Sequence, residues 1–143
     1  MTAIAPPLGQ PSAPRTYVID PEWVRSFRRA IPALAKKSDS QGDREIPLTF
    51  PFVLQPNPIP GLRMPDSGLV HGTQRFRYVS PLRIGETVTV VAEVSGYKER
   101  GGTAFVTLTT RAIHADGTDA FEAESLLLYP AGDEASSQVT PDP

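Results

Sequence analysis

The stretch "GLVHGTQRFRYVSPLRIGETVTVV", Gly68 to Val91, decides the fold. Two segments in which apolar and polar residues alternate flank a turn-like "SPLRIGE", Ser80–Glu86. A period of two is the mark of a half-buried strand. In "LVHGTQRFRYV", Leu69–Val79, strict alternation puts Val70, Gly72, Gln74, Phe76 and Tyr78 on one face. His71, Thr73, Arg75, Arg77 and Val79 take the other. In "TVTVVAEVSGY", Thr87–Tyr97, the valines Val88, Val90 and Val94 fall on one side with Ala92.

Working outward, "KERGG" is a turn, and "TAFVTLTTRAIHA", Thr103–Ala115, alternates again. Asp116–Gly117 marks a hairpin, because an Asp-Gly pair tolerates the positive φ that tight turns need. "TDAFEAESLLLYP", Thr118–Pro130, is the last strand, with Phe121, Ala123, Ser125, Leu127 and Tyr129 sharing a face. The pattern predicts four long strands in an antiparallel meander.

Upstream of Gly68 the period changes. "VIDPEWVRSFRRAIP" reads as a helix, with Asp20 as N-cap and Pro21 at the first helical position. Trp23, Phe27, Ala30 and Ile31, with Val24 beside them, share a face, and Arg25, Arg28 and Arg29 take the other side. "IPLTFPFVLQPNPIPGL", Ile46–Leu62, is strongly apolar, yet its prolines forbid a long helix. It predicts a short helix near Thr49–Gln55 and an extended stretch to about Pro65. Such a sheet has one face to bury, and the helix and this segment are the material available to cover it. The fold class is therefore α+β, a curved antiparallel sheet wrapped over a short central helical segment.

The chain has 143 residues, enough for one compact domain. Sixteen prolines cluster at both ends and in the middle. Residues 1–16 and 131–143 read as disordered tails around a domain spanning 17–130. A net charge of −2 gives no basic excess for nucleic acid. No window approaches the length of a membrane span, and no secretory signal is readable at the N-terminus, so the expected location is the cytoplasm. With no cysteine and two histidines, thiol chemistry is excluded and no metal-ligand spacing is present. No cofactor is expected.

Order and spacing together resemble the hot-dog fold, specifically the N-terminal half of MaoC-like dehydratases. That group is related to R-specific enoyl-thioester hydratases and FAS1-like dehydratase domains. "VIDPEWVRSFRRAI" is similar to the family's opening helix and "IPLTFPFVL" to its entry into the central helix. "GLVHGTQRFRYVSPLRIGETVTV" resembles the run G-L-x-H followed by P-[LI]-x-x-G-[DE], and "HADGTDAFEAESLLLYP" the closing hairpin. The resemblance implies an acyl thioester, on CoA or on a carrier protein, as ligand. It also implies a second hot-dog subunit as partner, in a homo- or hetero-dimer.

The family's catalytic half carries an Asp and a His in "G-D-x-N-P-[LIV]-H". Removing water from a 3-hydroxyacyl thioester needs a base for the C2 proton and an acid for the leaving hydroxyl. The nearest text here is "GDREIPLT", Gly42–Thr49, which has Asp43 but neither the Asn-Pro nor the His. The chain therefore reads as the non-catalytic half, shaping the acyl tunnel for a partner that holds the pair. His71 is the best single candidate for an acid/base group, although a lone histidine with no carboxylate at a readable spacing is more often a pocket-lining or hydrogen-bonding residue. Phe50, Phe52, His71, Gly72 and Arg75 are the expected substrate-binding residues. Arg75, Arg77 and Arg83 could meet the phosphates of a pantetheine carrier. His114 reads as a solvent-exposed hairpin end, and Glu122 and Glu124 as solvent-facing strand positions. Two other readings stay open: a homodimeric hot-dog thioesterase, and an acyl-thioester-binding module without enzymatic activity.

Overall fold

A computed structural model of the chain describes residues 5–31 and 46–131. Five strands form one antiparallel sheet: β1 (Arg15–Val18), β2 (Val70–Tyr78), β3 (Thr87–Arg100), β4 (Thr103–His114) and β5 (Asp119–Pro130). Among the described residues one helix, α1 (Pro21–Arg29), and one 3-10 turn, Phe50–Val53, lie against it. This curved sheet around a short central segment is the hot-dog arrangement.

The meander holds only for β3, β4 and β5. The sheet order is β1-β3-β4-β5-β2, so β2 pairs with β5 and not with its chain neighbour β3. Alternation identifies strands but carries no information on which strands pair. Where the turn chemistry is specific, the pairing follows it. Gly101 and Gly102 both have positive φ, 58° and 79°, as a two-residue hairpin of the primed type requires, and they join β3 to β4.

Residues 9–16, expected in a disordered tail, lie along β3 instead. The Gly9 and Ser12 N–H groups donate to the carbonyls of Val94 and Ala92, at 2.9 and 2.8 Å. The Ser12 hydroxyl accepts from the Ala92 N–H at 2.9 Å. β1 then continues the same edge. Prolines suit this position, because the outer side of an edge strand needs no N–H donor. Asn57 ties the strap down by donating to the carbonyls of Ala13 and Pro14, both at 3.1 Å. From residue 132 on, the expected C-terminal tail lies outside the described residues.

Asp20 caps α1 as predicted, its carboxylate accepting from the Glu22 N–H at 2.7 Å. The helix ends at Arg29, and Ala30 is an exposed cap residue instead of a member of the buried face. Arg28, expected on the solvent side, is buried, since it lies four residues after the fully buried Val24 on the inward stripe. Phe50 is the keystone of the cover. It is 0 % exposed and packs edge-on to Trp23 and Phe27, with centroids 5.0 and 5.3 Å away. Truncating it to alanine would cost about 3–5 kcal/mol. The remainder of the central segment adds Leu54 and Ile59 to the core, against the valines of β3.

Candidate functional site

Among the described residues β2 is a free edge of the sheet, hydrogen-bonded to β5 on one side only. Its register slips between His71 and Thr73: His71 faces Leu127, Thr73 faces Leu126, and Gly72 is left over as a bulge. A bulge resets the alternation. His71 therefore shares the concave face with Gln74, Phe76 and Tyr78, opposite Leu127, Ser125, Ala123 and Phe121. The strict alternation expected from sequence put His71 with Arg75 and Arg77, and the bulge overturns that. The bulged position suits glycine sterically, because a Cβ there would lie 2.7 Å from Leu128 Cδ1.

The expected site residues separate accordingly. Phe52, 45 % exposed, lies beside His71 with ring centroids 5.5 Å apart. Gln74 follows on the same face, its Oε1 accepting from the Ser125 hydroxyl at 2.5 Å. Phe50 is a core residue, closed off from any ligand by α1. Arg75 is exposed on the convex face, opposite Glu124, and Arg77 lies 3.9 Å from Glu122. These two arginines form part of a solvated charge ladder away from His71. Asp43 lies outside the described residues. Among the described residues no carboxylate forms an ion pair with His71, and no three His, Asp or Glu side chains converge as a metal site.

The other end of β2 opens on a cleft of about 430 Å³. Its walls are largely apolar, from Pro47, Leu48 and Pro51 on one side to Tyr78, Val79 and Leu82 on the other. The Tyr78 hydroxyl donates to the Leu48 carbonyl and bridges the two sides. Burial pushes this phenol's pKa up from its ordinary value. Six residues of strand lie between His71 and Tyr78, which places them roughly 20 Å apart.

Ser80 lines the cleft, and behind it stands a cluster the sequence did not reveal. His114 Nε2 is 2.7 Å from Ser80 Oγ, and His114 Nδ1 is 2.5 Å from Glu86 Oε1. His114 is not a solvent-exposed hairpin end: its side chain is 13 % exposed. The trio has the order of a nucleophile, base and orienting acid, but the proton count runs the other way. The Ser80 hydroxyl lies 2.7 Å from the Asp119 carbonyl, which can only accept, so the serine proton goes there. With its proton directed at the Asp119 carbonyl, the Ser80 hydroxyl is not poised to pass it to His114. The N–H groups of Val79 and Ser80 both donate to the Ala120 carbonyl, so neither is available to an oxyanion. The cluster is a clasp that fastens the β2–β3 connection to β4 and β5. Sequence patterning had no means to find it, because the three residues meet only through the register of three strands.

The comparisons agree with this architecture. Residues 7–123 match the family model described as "FAS1-like, dehydratase domain region". The chain belongs to that family. It is 32% identical over 133 residues to a UPF0336 protein of Clavibacter michiganensis, covering 83% of this chain and 89% of the relative. Among solved structures it is similar to the HadBC (3R-hydroxyacyl-ACP dehydratase) complex of Mycobacterium tuberculosis, with 22% identity and a TM-score of 0.60. That likeness covers 81% of this chain and 91% of the other. It is also similar to the R-hydratase PhaJ1 of Pseudomonas aeruginosa, with 18% identity, a TM-score of 0.60, and 88% and 83% coverage. These likenesses show the hot-dog fold. Among the described residues no helix is long and apolar enough to cross a membrane.

Proposed function

We propose that this chain is the non-catalytic hot-dog half of a cytoplasmic (3R)-hydroxyacyl-thioester dehydratase or enoyl-thioester hydratase. The observation that carries the reading is the free edge of β2. Among the described residues its outer ladder is unpaired, and exposed Leu48, Phe52, Leu69, Val70, Tyr78 and Val79 rim it. Exposed edges invite pairing with another strand, and contiguous apolar residues beside one mark an interface. His71 and the apolar cleft both open along this edge. A second hot-dog subunit seated there would bring its Asp/His pair to the same seam, and the two subunits would share one acyl tunnel. The complex named for its similarity above is itself a (3R)-hydroxyacyl-ACP dehydratase.

In this arrangement the partner's base removes the C2 proton of a 3-hydroxyacyl thioester, and its acid protonates the departing C3 hydroxyl. The products are the enoyl thioester and water. His71, Phe52 and Gly72 of this chain wall the reacting end, and the substrate is an acyl thioester on CoA or on a carrier protein. The test is hydration of crotonyl-CoA, followed at the enoyl absorbance, with the chain alone and co-expressed with a hot-dog subunit carrying the Asp/His segment. Turnover confined to the mixture is expected. Strong turnover by the chain alone, abolished in His71→Ala, would overturn the proposal.

A further inference from the structure

We propose that Gln74 binds the thioester carbonyl of the substrate, its amide N–H groups donating to the carbonyl oxygen. This rests on the acyl-thioester reading above and adds a substrate contact to it. Gln74 lies on the concave face, half-buried, three positions after His71 and on the same side because of the bulge at Gly72. Its cross-strand partner is Ser125, and beyond Ser125 the same row continues to Leu108. The next row toward the strand's end is Phe76 and Ala123. The row toward its start is His71 and Leu127. An amide is thus set into an otherwise apolar strip beside the one histidine of the seam.

Its orientation is fixed. Ser125 Oγ–H donates to Oε1 at 2.5 Å, which turns the NH2 end away from β5. Among the described residues neither hydrogen of Nε2 has a partner. The NH2 end reaches solvent, and an acceptor supplied by a ligand takes the place of water there. The chemistry of the donor selects the acceptor. A neutral amide in apolar surroundings suits a neutral carbonyl, while the phosphates of a carrier need the cations that lie on the convex face. A carbonyl held here gains further as C2 loses its proton, because the negative charge moves onto the carbonyl oxygen.

The experiment compares crotonyl-CoA with the matching but-2-enyl thioether of CoA, which lacks the carbonyl, by titration calorimetry. It uses the full-length protein isolated with any subunit it retains. Unaltered protein should bind the thioester about tenfold more tightly than the thioether. Gln74→Leu should erase that difference and leave thioether affinity unchanged. Ser125→Ala, which frees the amide to rotate without altering the core, should erase part of it and decides the matter if Gln74→Leu does not fold. A preference that survives in both variants, or equal weakening of both ligands, overturns the role of Gln74 alone. Failure of the unaltered protein to bind either ligand overturns the acyl-thioester reading and this contact with it.

Discussion

His114 Nδ1 lies 2.5 Å from Glu86 Oε1, and the contact joins the last residue of β4 to the loop that follows β2. The Glu86 carboxylate also accepts from the Arg83 N–H at 2.5 Å, so one side chain both closes its own turn and anchors it. Both partners are mostly buried, at 13 % and 18 % side-chain exposure. Removing one member would leave the other without its partner in a poorly hydrated site. His114→Ala and Glu86→Ala are each expected to cost about 2–3 kcal/mol, and Ser80→Ala about 1 kcal/mol, by urea denaturation. Ser80→Ala should leave crotonyl-CoA binding untouched. Loss of binding in that variant, with stability intact, would show that Ser80 acts on the ligand.

Gly72 is the residue left over where β2 bulges. Its added Cβ would meet the flexible end of Leu128 at 2.7 Å and the Leu126 carbonyl oxygen at 3.4 Å. Gly72→Ala should therefore be tolerated at roughly 1 kcal/mol, with Leu128 shifting. Deleting Gly72 is different in kind. Without the extra residue His71 directly precedes Thr73, just as their partners Leu127 and Leu126 are adjacent, so the ladder becomes regular and His71 keeps the concave face. The expected result is retention of the contact between the His71 and Phe52 rings, read as cross-relaxation by NMR, in a protein that still folds. Loss of that contact would show that pairing with Leu127 does not orient the histidine.

That same bulge marks the boundary of what the sequence makes legible. The four long strands, the α1 cap and the Gly101–Gly102 hairpin follow from local chemistry: alternation, Asp20 before Pro21, and two adjacent glycines. The proline spacing likewise limited the central segment to one short turn at Phe50–Val53. What escaped is non-local. Nothing in β2 itself says that it crosses to β5, and a single glycine does not declare itself a bulge until its partner strand is known. The Pro-rich start read as a tail because proline is poor in sheets, yet an edge strap uses its few N–H groups where they count, at Gly9 and Ser12. Of the candidate site, the sequence singled out Phe52 and His71, whose rings the fold brings side by side. It did not single out Gln74, because the partner that orients it, Ser125, is fifty-one positions away.

Acid stability depends on the β4–β5 turn. The Thr118 hydroxyl and N–H both donate to Asp116 Oδ1, at 2.6 and 2.9 Å, and these bonds hold the carboxyl below its ordinary value of 3.8. A carboxylate with a lowered folded-state pKa contributes stability above the unfolded value, and loses it as pH falls through the folded one. Asp116→Asn should therefore flatten the fall in urea midpoint below about pH 4 while changing little near neutrality. A variant whose midpoint falls as steeply as the unaltered protein's would remove Asp116 from the account.

The free edge of β2 makes the sharpest demand on assembly. Val70 and Val79 stand at its two ends, 57 % and 50 % exposed, and neither belongs to the buried core. Replacing both with lysine should change the stability of the isolated chain by no more than about 0.5 kcal/mol each, as expected for exposed positions. Lysine on an edge strand blocks strand-to-strand pairing, since an approaching subunit would have to desolvate the charge. The double variant should thus remain folded by circular dichroism and lose association with any hot-dog subunit in sedimentation velocity, with thioester turnover of the mixture falling in step. Unchanged assembly in the double variant would place the partner elsewhere. The opposite edge is the poorer alternative, because β1 is four residues long and the strap from Gly9 to Pro14 already occupies the rest of β3 there.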